Sequence, residues 1–217
     1  TVTSKSNSNI KKQAGTFTDL TFDYGLLLDQ RDRAFKPTNG YVTGFNQTLP
    51  VYADAPYTRN SYFFSQYKSF GEDVLGAVKF YVVGVNGLSD DDVRLSNRIK
   101  VSSKKLRGFE QGKIGPKDGK DFIGGNYASV MNFETTLPNL LPESTKIDVG
   151  AFLDIGNVWG VDYSNDINDT NKIRSTAGAT ASWTSPVGPM SFVLSQNITK
   201  AATDVTESFN FSLGTSF

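Results

Sequence analysis

The sequence predicts an all-β fold, an antiparallel transmembrane β-barrel, from three observations. Successive stretches of ~9–14 residues alternate apolar and polar side chains with period two, which turns one face to lipid and the other to a polar interior. Turn residues interrupt these stretches repeatedly, and no stretch shows a helical period. The composition is rich in strand and turn formers, with 16 Phe, 9 Tyr and 20 Gly among 217 residues. No run reaches the ~18 apolar residues of a transmembrane helix, and barrel strands carry a much weaker hydropathy signal than such helices.

Composition also bounds the chemistry. Lys+Arg and Asp+Glu are both 22, giving zero net charge, so the basic excess typical of nucleic-acid binding is missing. With no His and no Cys, imidazole and thiol catalysis, disulfides and metal sites built on those ligands are excluded. Gly-rich phosphate loops and nucleophile elbows are absent as well, so the chain reads as a non-enzyme requiring no cofactor or metal.

Residues 1–14 are polar and patternless and read as an outer-loop remnant; residues 15–217 carry the barrel pattern. From Thr18 the even positions are Leu20, Phe22, Tyr24 and Leu26, against Asp19, Thr21, Asp23 and Gly25. This is one apolar and one polar face, and the two carboxylates suit a watery interior. Lys36-Pro37-Thr38-Asn39-Gly40 is a turn. A second strand at 41–49 sets Tyr41, Phe45 and Leu49 against Gly44, Asn46 and Thr48, and residues 50–60, with two prolines, read as a polar loop. The third and fourth strands, 61–70 and 74–86, flank Gly71-Glu72-Asp73; their alternation does not define faces. Residues 87–125 form the longest non-strand segment, and a loop of that length is usually functional or disordered.

The fifth strand, 126–137, opposes Tyr127, Met131, Phe133 and Leu137 to Ala128, Asn132 and Glu134. In the sixth, 145–159, Ile147, Val149, Ala151, Leu153 and Ile155 share one face, and Asp148, Gly150, Phe152, Asp154 and Gly156 share the other. The seventh, 174–185, ends in Ser185-Pro186-Val187-Gly188-Pro189. The eighth, 190–197, turns Met190, Phe192 and Leu194 outward. The last, 207–217, carries Phe209, Phe211, Leu213 and Phe217 against Ser208, Asn210, Ser212, Gly214 and Ser216. Connections read as short after the odd strands and longer after the even ones, the habit of outer-membrane barrels with short periplasmic turns and long outer loops. Bacterial single-chain barrels have even strand numbers, so about nine strands, starting on the outer side, imply further strands upstream.

In the long loop, Leu106-Arg107-Gly108-Phe109, Ile114-Gly115-Pro116 and Gly124-Gly125-Asn126 stand out. Together with the sixth strand's Phe152-Leu153-Asp154-Ile155-Gly156-Asn157-Val158-Trp159, the Trp183–Pro189 turn and the Phe-rich terminal strand, they make the sequence resemble the BamA family of the POTRA-transporter superfamily. The motifs occur in the family's order and cover nearly the whole chain from Gly15. The resemblance implies an integral bacterial outer-membrane protein, the C-terminal part of a barrel of about sixteen strands preceded by periplasmic POTRA domains. It implies a role in assembling and inserting β-barrel proteins. Expected partners are nascent barrel proteins, accessory lipoproteins reached through the periplasmic domains, membrane lipid and lipopolysaccharide.

By the same resemblance Arg107, at the tip of a loop folded into the lumen, pairs with Asp154 and contacts Phe152, with Gly108, Phe109 and Gly156 completing the lock. Phe152 and Asp154 do share the polar face of their strand, and a guanidinium suits both a carboxylate and an aromatic face. The family's last strand is a weak seam whose unpaired edge can template an incoming strand, with Phe209, Phe211, Leu213 and Phe217 as its apolar signal. A TamA-like or two-partner-secretion translocator of the same superfamily is the alternative; an enzyme barrel or a stand-alone small barrel fits less well. Asp19, Asp23, Glu134 and Asp148 read as a hydrated lumen wall, and Asp90-Asp91-Asp92 as a solvated loop or a divalent bridge to lipopolysaccharide. The stretch from Asp162 fails as a calcium loop because Ile167 and Ile173 stand where Gly and Glu are needed.

Overall fold

A computed structural model describes residues 11, 13–138, 140–163, 167, 171–186 and 188–214. The strands are β1 (Asp19–Asp29), β2 (Gly40–Ala53), β3 (Tyr57–Ser69), β4 (Leu75–Gly87), β5 (Lys117–Asp118), β6 (Asp121–Phe122), β7 (Tyr127–Leu137), β8 (Ile147–Trp159), β9 (Arg174–Ser185), β10 (Gly188–Thr199) and β11 (Phe209–Leu213). All but β5 and β6 build one nine-stranded antiparallel sheet in chain order, from β1 at one edge to β11 at the other. The small β5–β6 hairpin lies inside the long loop. Among the described residues the sheet is an open wall whose two edges do not meet.

The outer face is apolar where the alternation predicts it. Leu20, Phe22 and Leu26 of β1 are exposed, as are Phe209, Phe211 and Leu213 of β11, the side chains a lipid-facing barrel wall presents. Phe192 and Phe211 pack across β10 and β11 with ring centroids 5.1 Å apart, a cross-strand aromatic contact.

The inner face is not uniformly polar. Val83 and Val85 of β4, Ala128 and Val130 of β7 and Val158 of β8 form a buried cluster with Val93, Ile99, Val101, Leu106, Phe109 and Ile114 of the long loop. The loop therefore lies against the lumenal wall and supplies half of an apolar core. This explains why β4 has no readable alternation: Val78, Phe80 and Val82 face outward, Tyr81, Val83 and Val85 face the loop, and both faces must be apolar.

Three expectations need correction. Residues 50–60 are not a loop: β2 continues through Pro50 to Ala53, β3 begins at Tyr57, and only residues 54–56 connect them. Pro50 is tolerated because it lies beside a register shift at Leu20/Thr21 and beyond the last β2–β3 pair, Thr48↔Arg59, where no ladder N–H is required. The alternation of short and long connections consequently fails at the start, since residues 30–39 form a longer connection than 54–56. Finally, β11 begins at Phe209 rather than 207 and spans Phe209–Leu213 among the described residues; residues 215–217, Phe217 included, lie outside them, as does most of the 1–14 remnant.

Candidate functional site

The loop descends from β4 and turns back at residues 102–106, where the N–H groups of Lys105 and Leu106 both donate to the Ser102 carbonyl. That turn presents Arg107 to the wall. The Asp154 carboxylate accepts from the Arg107 backbone N–H at 3.0 Å, from Nε at 2.7 Å and from Nη2 at 2.6 Å. The guanidinium carbon sits 3.8 Å from the Phe152 ring centroid. Phe152 and Asp154 lie two residues apart on the lumenal face of β8, one offering an aromatic plane and the other a carboxylate fork. Asp154 is fully buried and Arg107 nearly so.

A buried ion pair needs its remaining polar capacity satisfied. Asn132 Nδ2 donates to Asp154 Oδ1 at 2.7 Å and to the Lys105 carbonyl at 2.8 Å. Arg107 Nη2 donates to Glu134 Oε1 at 2.9 Å, and Lys79 Nζ donates to Glu134 Oε2 at 2.5 Å. The order Asp154, Arg107, Glu134, Lys79 alternates sign and sums to zero charge. Burial opposes the Arg107 charge, but the hydrogen bonds and attraction of Asp154, reinforced by Glu134, outweigh it and raise its pKa. Glu134 is thus part of the lock rather than a hydrated wall residue. Its signal was its place beside Asn132 on the polar face of β7, facing Phe152 across the β7–β8 pair.

Gly108 is required by its conformation. Its φ is +84°, and a Cβ there would come 2.6 Å from Thr176 Oγ1. Its carbonyl accepts from Asn197 Nδ2 at 2.9 Å and from the Glu207 N–H at 3.0 Å. Phe109 is buried in the loop–wall core and bridges Thr206. Gly156 lies under Leu106, whose Cδ1 would be 3.4 Å from a Cβ added there. All six expected lock residues, Arg107, Gly108, Phe109, Phe152, Asp154 and Gly156, are therefore brought together at the loop tip or in the wall beneath it. Gly178, which no sequence motif singled out, makes room for the Phe152 ring: a Cβ there would stand 2.7 Å from it. Phe209, Phe211 and Leu213 lie elsewhere, on the outer face of the edge strand β11.

A second polar cluster ties the start of the loop to the β8–β9 connection. Arg98 Nη1 donates to Asn126 Oδ1 at 2.7 Å and Nη2 to the Val93 carbonyl at 2.8 Å and to Asp162. Asp162 also accepts from the Val93 N–H at 2.9 Å and Asn126 Nδ2 at 2.8 Å. Burial pushes the Asp162 pKa up, but these donors, led by the Val93 N–H, hold it below its ordinary value. A carboxyl with a depressed folded pKa contributes stability that is complete above its unfolded value of ~3.9 and is lost as pH falls through the folded one. The tether is therefore expected to hold at neutral and mildly acidic pH and to release only below pH ~4. Fluorescence of Trp159, with Trp183 replaced by Phe, should report that transition, and Asp162→Asn should abolish it.

Residues 2–217 match the Omp85 superfamily domain. The outer membrane protein assembly factor BamA of Neorickettsia risticii is 26% identical over 214 residues, covering 96% of this chain and 29% of that protein. BamA of Neisseria meningitidis serogroup B is 27% identical over 224 residues, 87% of this chain and 28% of that protein. A SAM50-like protein of Schizosaccharomyces pombe is 27% identical over 152 residues, 65% of this chain and 31% of that protein. The crystal structure of BamA from Haemophilus ducreyi lacking POTRA domains 1–3 superposes with a TM-score of 0.79 at 26% identity, covering 88% of this chain and 41% of that one. The chain thus spans less than a third of the length of these curated relatives. The one-sided apolar wall, the infolded loop and these likenesses agree: the chain belongs to the Omp85 superfamily, as part of the barrel of a BamA-family integral outer-membrane protein.

Proposed function

We propose that the chain is the barrel portion of an assembly factor that helps fold and insert other β-barrel proteins into the outer membrane, acting through its terminal edge strand. One observation carries this reading. Among the described residues β11 pairs with β10 over five residues, Met190↔Leu213 to Leu194↔Phe209, whereas the other neighbouring strands of the sheet pair over nine or more. A short, apolar strand with its other edge unpaired among the described residues is a template for β-augmentation. The BamA relatives are assembly factors by name, which supports the same role here. It involves no covalent chemistry. The partners are nascent barrel proteins at the seam, accessory lipoproteins through periplasmic domains, and surrounding lipid and lipopolysaccharide.

These 217 residues hold no Cys, so an introduced one is unique among them. Single cysteines at Phe209, Phe211 and Leu213 of the full-length protein should form disulfides with a cysteine in the last strand of a barrel protein during its assembly in membranes. Cysteines on the outer face of β3 should not. Trapping at neither place, with transport of a secreted polypeptide intact, would contradict the insertion reading and favour a translocator of the TamA or two-partner-secretion kind.

A further inference from the structure

The loop tip does not meet only the wall. Its chain from Gly108 to Lys113 lies against residues 205–207, in the connection between β10 and β11. Glu110 N–H donates to the Val205 carbonyl at 3.0 Å, Val205 N–H to the Lys113 carbonyl at 3.1 Å, and Glu207 N–H to the Gly108 carbonyl at 3.0 Å. Main-chain hydrogen bonds of this kind carry no residue identity, so something else must set which residues face each other. On the loop side Arg107 does so, one residue before the contact begins.

On the other side the corresponding element is a second buried ion pair. Asp204, one residue before the contact, receives Arg174 in a two-pronged contact, Nε to Oδ2 and Nη2 to Oδ1, both 2.9 Å. Both side chains are fully buried. Arg174 is the first residue of β9 and is itself oriented by Asn157 Oδ1 at 2.5 Å and the Lys172 carbonyl at 2.8 Å. Asp204 Oδ2 also accepts from the Ala201 N–H at 2.6 Å, closing the turn that delivers Val205. Past the contact, the Ser195 N–H and Oγ catch the carbonyls of Ser208 and Glu207, and β11 begins at Phe209.

We propose that the Arg174–Asp204 pair is a second latch, which holds residues 205–207 in register against the loop tip and thereby positions the edge strand β11. Arg174 and Asp204 are positioning residues: Arg174 meets the lock as the backbone partner of Gly156 in the β8–β9 ladder, and the pair acts on β11 through residues 205–208. A buried pair is no better a source of stability than apolar side chains of similar size, whereas its planar, two-pronged geometry fixes orientation. The two latches then work as one device. Arg107 on Asp154 fixes one chain of the contact, and Arg174 on Asp204 fixes the other. The inference concerns the placement of β11 and stands whether or not that strand receives incoming polypeptide.

Hydrogen exchange of the full-length protein in lipid bilayers tests it without reference to insertion activity. Asp204→Asn, which keeps size but removes charge, should speed exchange at least about tenfold at two separated stretches, 108–113 and 205–213. Exchange in β7 and β8 should be unchanged. Arg174→Lys, which keeps charge but loses the two-pronged contact, should give a smaller change at the same two stretches. Releasing the first latch by Arg107→Ala should reciprocally speed exchange at 205–213. Exchange confined to residues near Asp204, or spread evenly over the sheet, would overturn the proposal. So would failure of both Asp204→Asn and Arg174→Lys to assemble, because the pair would then be a folding requirement rather than a register device.

Discussion

Asp154→Ala is expected to free the tip of the long loop from the lumenal wall. The carboxylate accepts from Arg107 at its backbone and at two guanidinium nitrogens, and from Asn132, all in a fully buried position. Removing it leaves a buried cation and an amide without their acceptor. Breaking a buried pair from one side costs about 3–5 kcal/mol, and here that cost falls on the docked state of the loop. Glu134 still faces Arg107, so the loop retains one weaker anchor. Limited proteolysis should cut within residues 104–115 of the variant in membranes where the parent resists, and barrel assembly should fall with it. Asp154→Asn should be milder, because its amide oxygen still accepts. Charge reversal at both positions is a poor test: a glutamate at 107 would face Glu134, and an arginine at 154 would need room that a fully buried site lacks.

Phe109→Ala is expected to have a comparable effect by a different route. Its ring is buried in one cluster with Val83, Val85, Val130 and Val158 of the wall and Leu106 and Ile114 of the loop. Truncating a core Phe to Ala costs about 3–5 kcal/mol through lost burial and the cavity left behind. No charge changes, so salt should not rescue the variant, and Phe109→Leu should restore most of the loop's protection. Equal protease resistance in Phe109→Ala and the parent would show that the apolar core does not hold the loop.

How much of this was legible depends on what each residue faces. β1, β8 and β11 alternate cleanly because one face meets lipid and the other faces inward, and their faces were readable from Leu20, Ile155 and Phe211. β4 was not, because the loop covers its inner face, burying Val83 and Val85 as core with Tyr81 packed partly buried beside them. Pro50 read as a loop because a proline argues against a strand, and nothing in the sequence marks the register shift that accommodates it. The lock residues were legible through the resemblance and through the shared face of Phe152 and Asp154. Glu134 was legible as a lumen-facing residue but its contact with Arg107 was not, nor was the Arg174–Asp204 pair, since each contact joins elements some thirty residues apart whose approach is set by strand pairing and loop path rather than by local pattern. The contact of the loop tip with residues 205–207 is made by main-chain atoms and leaves no sequence signature.

The most direct measurement is a double-mutant cycle on Arg107 and Asp154, read as hydrogen exchange of residues 104–113 in the full-length protein in bilayers. If the pair latches the loop, Arg107→Ala and Asp154→Ala each speed exchange, and the double variant is no faster than Asp154→Ala alone, a coupling of ~0.5–3 kcal/mol. Two losses that simply add would contradict direct pairing and leave the loop held by its apolar core.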